Sequence, residues 1–187
     1  MKGDRVFIKT EETPNPATLK FLPGRAVLAK GTMDFPTRES AESCLFAKTL
    51  FTINGITGVF FGSDFITLTK HDQYDWLVLK PKVLGFIMDY FMHHEIVEII
   101  QEKPQASAEN DSEIVKEIKE ILDGRIRPAV AMDGGDIVFN RFEDGIVYLE
   151  LQGSCSGCPS STATLKTGIE NMLKHYIPEV QEVRAVN

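Results

Sequence analysis

The sequence predicts an α+β protein of two small α+β domains joined by a flexible linker. Three observations carry this. Segments of strand-like alternation and segments of helical period interleave in both halves of the chain. A polar stretch, EKPQASAENDSE at residues 102–113, separates the halves and offers no large apolar side chain to a core. A chain of 187 residues has room for two small cores, and its hydrophobic fraction of 43% is ordinary for a globular protein. The expected division is a first domain at 1–101, a linker at 102–112 and a second domain at 113–187.

The first domain opens with RVFIKT, a strand by alternation, with Val6 and Ile8 on one face and Phe7 on the other. TPNPAT interrupts it, because Pro14 and Pro16 each push the preceding residue toward extended backbone. LKFLPG is a second strand, closed by Pro23-Gly24. Residues 39–53 read as one helix, and GVFFGSDFITLTK as a hairpin turning near Gly62-Ser63. A second helix is predicted from Pro81, with Leu84, Ile87, Met88 and Phe91 on its buried stripe.

The second domain follows the order α-β-β-α-β. Ile114, Ile118, Ile121 and Leu122 mark a helix that Gly124 should stop. A hairpin follows, with one strand from Ile137, a turn at Asp144-Gly145 and a partner from Ile146 to Leu151. Leu165, Ile169, Met172, Leu173 and Tyr176 give the clearest helical period of the chain, with Ser160 or Ser161 as its cap. Pro178 ends that helix, and VQEVRAV is the last strand.

Charge narrows the partners. The formal net charge is −7, and residues 104–187 carry −6 of it. An acidic half without a basic stripe excludes nucleic acid as the main partner. No apolar run approaches the roughly 20 residues of a membrane span. Neither a secretory h-region nor an Arg/Ser-rich transit pattern appears in MKGDRVFIKTEETPNP, so a cytoplasmic location is expected. Three cysteines make no disulfide framework, which fits a reducing compartment.

The chemistry of the chain concentrates in GSCSGCPSST, residues 153–162. Cys155 and Cys158 lie between a strand and the start of a helix. Free N–H groups and the helix dipole there favour thiolate, the form that binds metal. Gly153 and Gly157 let the backbone turn and approach a bulky ligand. Structural zinc and a [4Fe–4S] cluster each require four ligands, and one copy of the motif supplies two. A second chain bringing the same pair across a two-fold axis completes the set. Spacing leaves two other readings open, a dithiol–disulfide oxidoreductase and a zinc-linked structural dimer. The first is disfavoured because the motif follows a hairpin, not the strand of a βαβ unit.

Taken together, MDGGDIVF, the hairpin and LQGSCSGCPSSTATLKTGIENML resemble the C-terminal domain of NifU, the Nfu domain. TEETPNPATLKFLPG, GVFFGSDFITLTK and DWLVLKPKVLGFIMDYF resemble the Nfu N-terminal domain, in the expected order. The resemblance implies a carrier, not an enzyme. It implies one [4Fe–4S] cluster bound through Cys155 and Cys158 of two chains, a homodimer on cluster binding. Its partners would be upstream iron–sulfur assembly proteins and apo iron–sulfur enzymes. A bacterial cytoplasmic protein is the first placement, and a mature mitochondrial matrix form the alternative.

Other residues carry less. Cys44 shares an apolar stripe with Ala41, Ala47 and Phe51 and is expected to be a buried packing thiol. His93 and His94 are adjacent on a helix, about 100° apart, and cannot chelate together. Asp133-Gly134-Gly135-Asp136 is read as a turn, placed near the cysteine loop by the resemblance. Lys166 and Lys174 are expected on a solvated helix face. Of Phe60 and Phe61, alternation sends one to the core and leaves the other free to dock.

Overall fold

The computed structural model describes residues 7–99, 112–157 and 159–186, and for 159–161 only the backbone. The chain divides into two compact units, Met1–Glu102 and Lys103–Asn187, each described by itself. Both are α+β. Most of the 102–112 segment lies outside the described residues, as does Val6 of the first expected strand.

Five strands form the sheet of the first unit: β1 (Lys9–Glu12), β2 (Thr18–Leu22), β3 (Met33–Phe35), β4 (Ile56–Phe61) and β5 (Ile66–Lys70). Their order is β1-β2-β5-β4-β3, and every pairing is antiparallel. β1 therefore starts later than RVFIKT suggested. β3 is a strand that three residues are too few to announce by alternation; its partner β4 supplies the pattern, with Phe35 opposite Val59. The TPNP turn closes on itself, since Asn15 Oδ1 accepts from Ala17 N at 3.0 Å and Asn15 O from Thr18 N at 2.9 Å.

The single helix expected at 39–53 is two pieces. A 3₁₀ turn spans Glu39–Ser43, Cys44 is extended (φ −137°, ψ 110°), and α1 spans Leu45–Leu50. Ala41, Cys44 and Ala47 are all fully buried, at a spacing of three. Residues three apart share a helix face in either form, so the expected buried stripe is kept although the helix itself breaks at the extended Cys44.

Helix α2 (Trp76–His93) begins five residues before the predicted Pro81. Asp75 is the missed signal: its side chain caps the helix by accepting from Leu77 N at 2.8 Å. The earlier start brings Leu79, Val83, Ile87 and Phe91 onto the core face. Met88, expected among them, is exposed. Phe60 and Phe61 are both buried, so neither side of β4 offers a free ring. Phe61 sits among the rings of Phe35 and Phe46, while Phe60 packs on Phe65 at 5.9 Å.

In the second unit α3 (Glu113–Ile121) is capped by Ser112, whose Oγ accepts from Val115 N at 3.3 Å. The helix does not stop at Gly124. It passes through one π turn, Leu122–Ile126, into α4 (Arg127–Met132). Gly124 keeps a negative φ, so it is no left-handed cap. Pro128 explains the widening: it has no N–H to donate, and its ring crowds the turn before it. The Arg127 N–H reaches back to Leu122 O instead. Leu122, Ile126 and Val130 remain buried at a spacing of four, and that burial carries the helix past the glycine.

The sheet of this unit has the order β6-β7-β8, from β6 (Gly135–Glu143), β7 (Ile146–Gly153) and β8 (Glu182–Val186). β6 and β7 form the expected hairpin through Asp144 (φ 51°) and Gly145 (φ 79°), the two left-handed positions of a tight turn. α5 (Pro159–Tyr176) crosses back to β8, which pairs with β7 in parallel. The cysteine loop thus does sit inside a βαβ unit, contrary to the sequence reading. The order α-β-β-α-β leaves open where the last strand inserts, and the helical crossover places it beside β7. α5 begins at Pro159, so Ser160 and Ser161 lie in its first turn and are not its cap. Ile169 and Leu173 face the core; Tyr176 ends half-exposed, with the Arg125 guanidinium 4.8 Å over its ring. Among the described residues no helix is long and apolar enough to cross a membrane.

Candidate metal centre

The loop that carries Cys155 is held from three sides. β7 ends at Gly153 (φ 61°), and Ser156 N and Ser156 Oγ both donate to Gly153 O, at 3.2 and 3.0 Å. From α5, Thr162 Oγ1 donates to Cys155 O at 3.2 Å. From the connection between α4 and β6, Gly134 O accepts from Ser154 N at 3.2 Å and Asp133 O from Ser154 Oγ at 2.6 Å. Gly134 (φ 85°) makes that connection turn in two residues. The Asp133-Gly134-Gly135-Asp136 turn is therefore a wall of the cysteine loop.

Gly135 forms the closest part of that wall. A Cβ at this position would lie 2.5 Å from Cys155 Sγ, 2.7 Å from Gln152 O and 3.0 Å from Cys155 N. Only a residue without a side chain fits there. Beside it, Asp136 is 4% exposed and takes a two-pronged bond from Arg127, Nε to Oδ1 at 2.8 Å and Nη2 to Oδ2 at 2.7 Å. Asp136 Oδ1 also accepts from Ile137 N at 2.8 Å. Arg127 reaches Asp123 as well, at 3.0 Å, and the two carboxylates hold its guanidinium firmly protonated.

Cys155 itself is 5% exposed and joins the core that contains Ile118, Ile137 and Leu149. Burial pushes its thiol up to about 12 from an ordinary 9.0. The Asp133 and Asp136 charges push the same way, and the Ser154 hydrogen bond opposes them. In the metal-free chain burial thus opposes, at Cys155, the thiolate expected from the helix N-terminus. The folded state holds this proton more tightly than the unfolded state. The stability it contributes is full below pH 9 and is lost as pH rises toward 12. In the metal-free protein we expect Cys155 to be alkylated slowly at pH 7 and progressively faster above pH 9, read by peptide mass spectrometry. Rapid alkylation at pH 7 would contradict this picture and revive a redox-active dithiol.

Cys158 lies outside the described residues. Cys44 lies in the first unit at 0% exposure, and burial raises its thiol too. His93 and His94 close α2, where His94 stacks on Tyr90 at 4.2 Å. Lys166 and Lys174 pair with Glu182 and Glu170 on the outside of α5. Among the described residues no three His, Cys, Asp or Glu side chains converge to hold a metal ion. Sequence reasoning identified the thiols but missed the Arg127–Asp136 pair and the contact made by Gly135. The GGD run was the available signal.

Comparison with known proteins covers both units. Residues 8–94 match the family model described as the scaffold protein Nfu/NifU N terminal, and residues 118–184 match the NifU-like domain. The chain is 53% identical over 184 residues to the human "NFU1 iron-sulfur cluster scaffold homolog, mitochondrial", covering 97% of this chain and 72% of that protein. The protein of the same name from Drosophila persimilis is 52% identical over 186 residues, and this chain spans 65% of its length. A solution structure of a NifU-like protein from Saccharomyces cerevisiae covers 55% of this chain and 92% of its own, at 24% identity and a TM-score of 0.48.

Proposed function

The chain belongs to the Nfu family of iron–sulfur cluster scaffold proteins, and from that premise we propose that it carries a [4Fe–4S] cluster and delivers it to apo iron–sulfur enzymes. The observation that supports this most directly is the seat of Cys155. Its sulfur lies against a bare glycine, at the end of β7, on a loop tethered by two other segments. A soft sulfur donor with a bare glycine on one side suits a bulky, soft cargo. Cys155 and Cys158 supply two of the four thiolates that such a cluster takes. The same pair from a second chain supplies the rest, making a homodimer around the cargo.

Loading costs each thiol its proton, so Cys155 releases one when iron binds. Release is the reverse exchange: the acceptor's thiols give up protons and replace the carrier's sulfurs on iron, and the carrier's thiols take protons back. This is carriage without catalytic turnover. The names of the relatives favour a mitochondrial over a bacterial cytoplasmic location. Upstream iron–sulfur assembly proteins would load the protein. The first unit, with its own core and its cysteine sealed inside, serves as a recognition module for acceptors.

The rival readings fare unequally. The βαβ setting suits a dithiol oxidoreductase, but a buried thiol with a raised pKa is a poor nucleophile. A zinc-linked dimer would use the same ligands and is separated by its metal. Native mass spectrometry of the anaerobically reconstituted full chain tests the proposal. We expect two chains with one four-iron, four-sulfide cluster. One chain with a complete cluster, zinc without iron, or no uptake at all would each reject it.

A further inference from the structure

The cysteine loop leans on a wall whose own position is set from elsewhere. That wall is Gly135, the first residue of β6, which pairs with Gly153, the last of β7. The residue after it, Asp136, is nearly sealed from solvent and gripped by both prongs of Arg127. Two charge-assisted bonds to one carboxylate fix orientation as well as distance. Arg127 stands where the π turn gives way to α4, and its other prong is anchored on Asp123. Between α4 and β6 run only Asp133 and Gly134, both bonded to Ser154. The register of α4 is thereby passed to Gly135, and from Gly135 to the Cys155 sulfur.

We propose that the Arg127–Asp136 ion pair is the positioning element of the cysteine loop, holding Gly135 against Cys155 so that its sulfur keeps one location. This rests on Cys155 being an iron ligand, as proposed above, but the geometry it describes belongs to the metal-free chain. Among the described residues Arg127 bonds to Asp136 and Asp123; it acts on the cysteine loop through Asp136 and Gly135. Removing the guanidinium takes the counter-charge from a buried carboxylate, and the start of β6 must shift toward water. Lysine keeps the charge without the fork and restores part of the hold.

The test uses the full chain without metal, so it is independent of whether the protein takes up iron. Arg127→Gln and Arg127→Lys are compared with wild type by alkylation of Cys155 with iodoacetamide. Amide hydrogen exchange of Val147 and Leu149 in β7 is read in parallel. We expect Arg127→Gln, which loses three charge-assisted hydrogen bonds, to raise the Cys155 rate by about tenfold or more as the loop opens to reagent. A slower rate, the Asp136 charge acting on a thiol still in place, overturns the proposal. Arg127→Lys should fall between, with β7 protection unchanged in both. Wild-type Cys155 rates in both variants overturn the proposal. So does a rise accompanied by lost β7 protection in both, since the pair would then be a general support of the fold. In reconstituted protein the same variants should lose iron to a chelator about 10-fold faster, the usual scale for a group that orients a ligand.

Discussion

Serine at Cys155 or at Cys158 is expected to abolish iron and sulfide uptake, while serine at Cys44 leaves both at the wild-type level. The two outcomes have different physical origins. A serine hydroxyl is a harder donor than thiolate and stays protonated at neutral pH, so it cannot hold a soft iron centre. If each chain gives half of the ligands, one substitution removes two of four from the dimer, and the two that remain are too few to hold the cluster. Cys44 belongs to another unit and lies at 0% exposure beside Phe46, Ala47 and Leu50. Its replacement puts a hydroxyl at the N-cap of α1, within reach of the Ala47 and Phe46 N–H groups that interact with the thiol. The Cys44 variant should therefore melt close to wild type and load normally. Iron and sulfide per chain, with thermal unfolding of the three metal-free variants, reads both effects. Equal iron in all three removes the assignment of Cys155 and Cys158.

The two thiols were legible in the sequence because the motif is local: spacing, flanking glycines and a following helix are all visible in ten residues. The α+β class was legible for a similar reason, since periodicity reports burial over short windows. What escaped depends on contacts across the sequence. β3 exists because β4 pairs with it. The break at Cys44 has no local marker, since Ala41, Cys44 and Ala47 keep the buried row that a continuous helix would give. Gly124 reads as a helix stop, yet Leu122, Ile126 and Val130 find a core on both sides of it. The parallel placement of β8 is likewise a tertiary fact. At the site, the raised Cys155 pKa reverses a reading that was sound for a helix N-terminus in water, because the depth of a side chain is not written in its neighbours.

Alanine at Gly135 is expected to be the most damaging single methyl in the second unit, harming stability and loading together. Its backbone φ is one that alanine adopts freely, so the penalty comes from space and not from strain. The new carbon would meet Cys155 Sγ at 2.5 Å and two main-chain atoms, Gln152 O and Cys155 N, at 2.7 and 3.0 Å. Main chain of β7 cannot swing aside as a side chain can. Either β6 lifts from β7 or the cysteine loop is pushed out. Overpacking of this kind costs about 1–3 kcal/mol, and the sulfur moves in both cases. Gly124→Ala is the control: it lies in helical backbone with nothing within 4 Å of its Cβ, and should stabilise by about 0.5–1 kcal/mol. Urea unfolding of the metal-free proteins gives the first quantity, and iron per chain after anaerobic reconstitution gives the second. Stability lost with loading intact would show that the cargo tolerates a displaced Cys155. Loading lost with stability intact would place the role of Gly135 wholly at the sulfur. If Gly135→Ala matches wild type in both, β6 and the cysteine loop are not in contact as described, and the account of how this chain seats Cys155 fails.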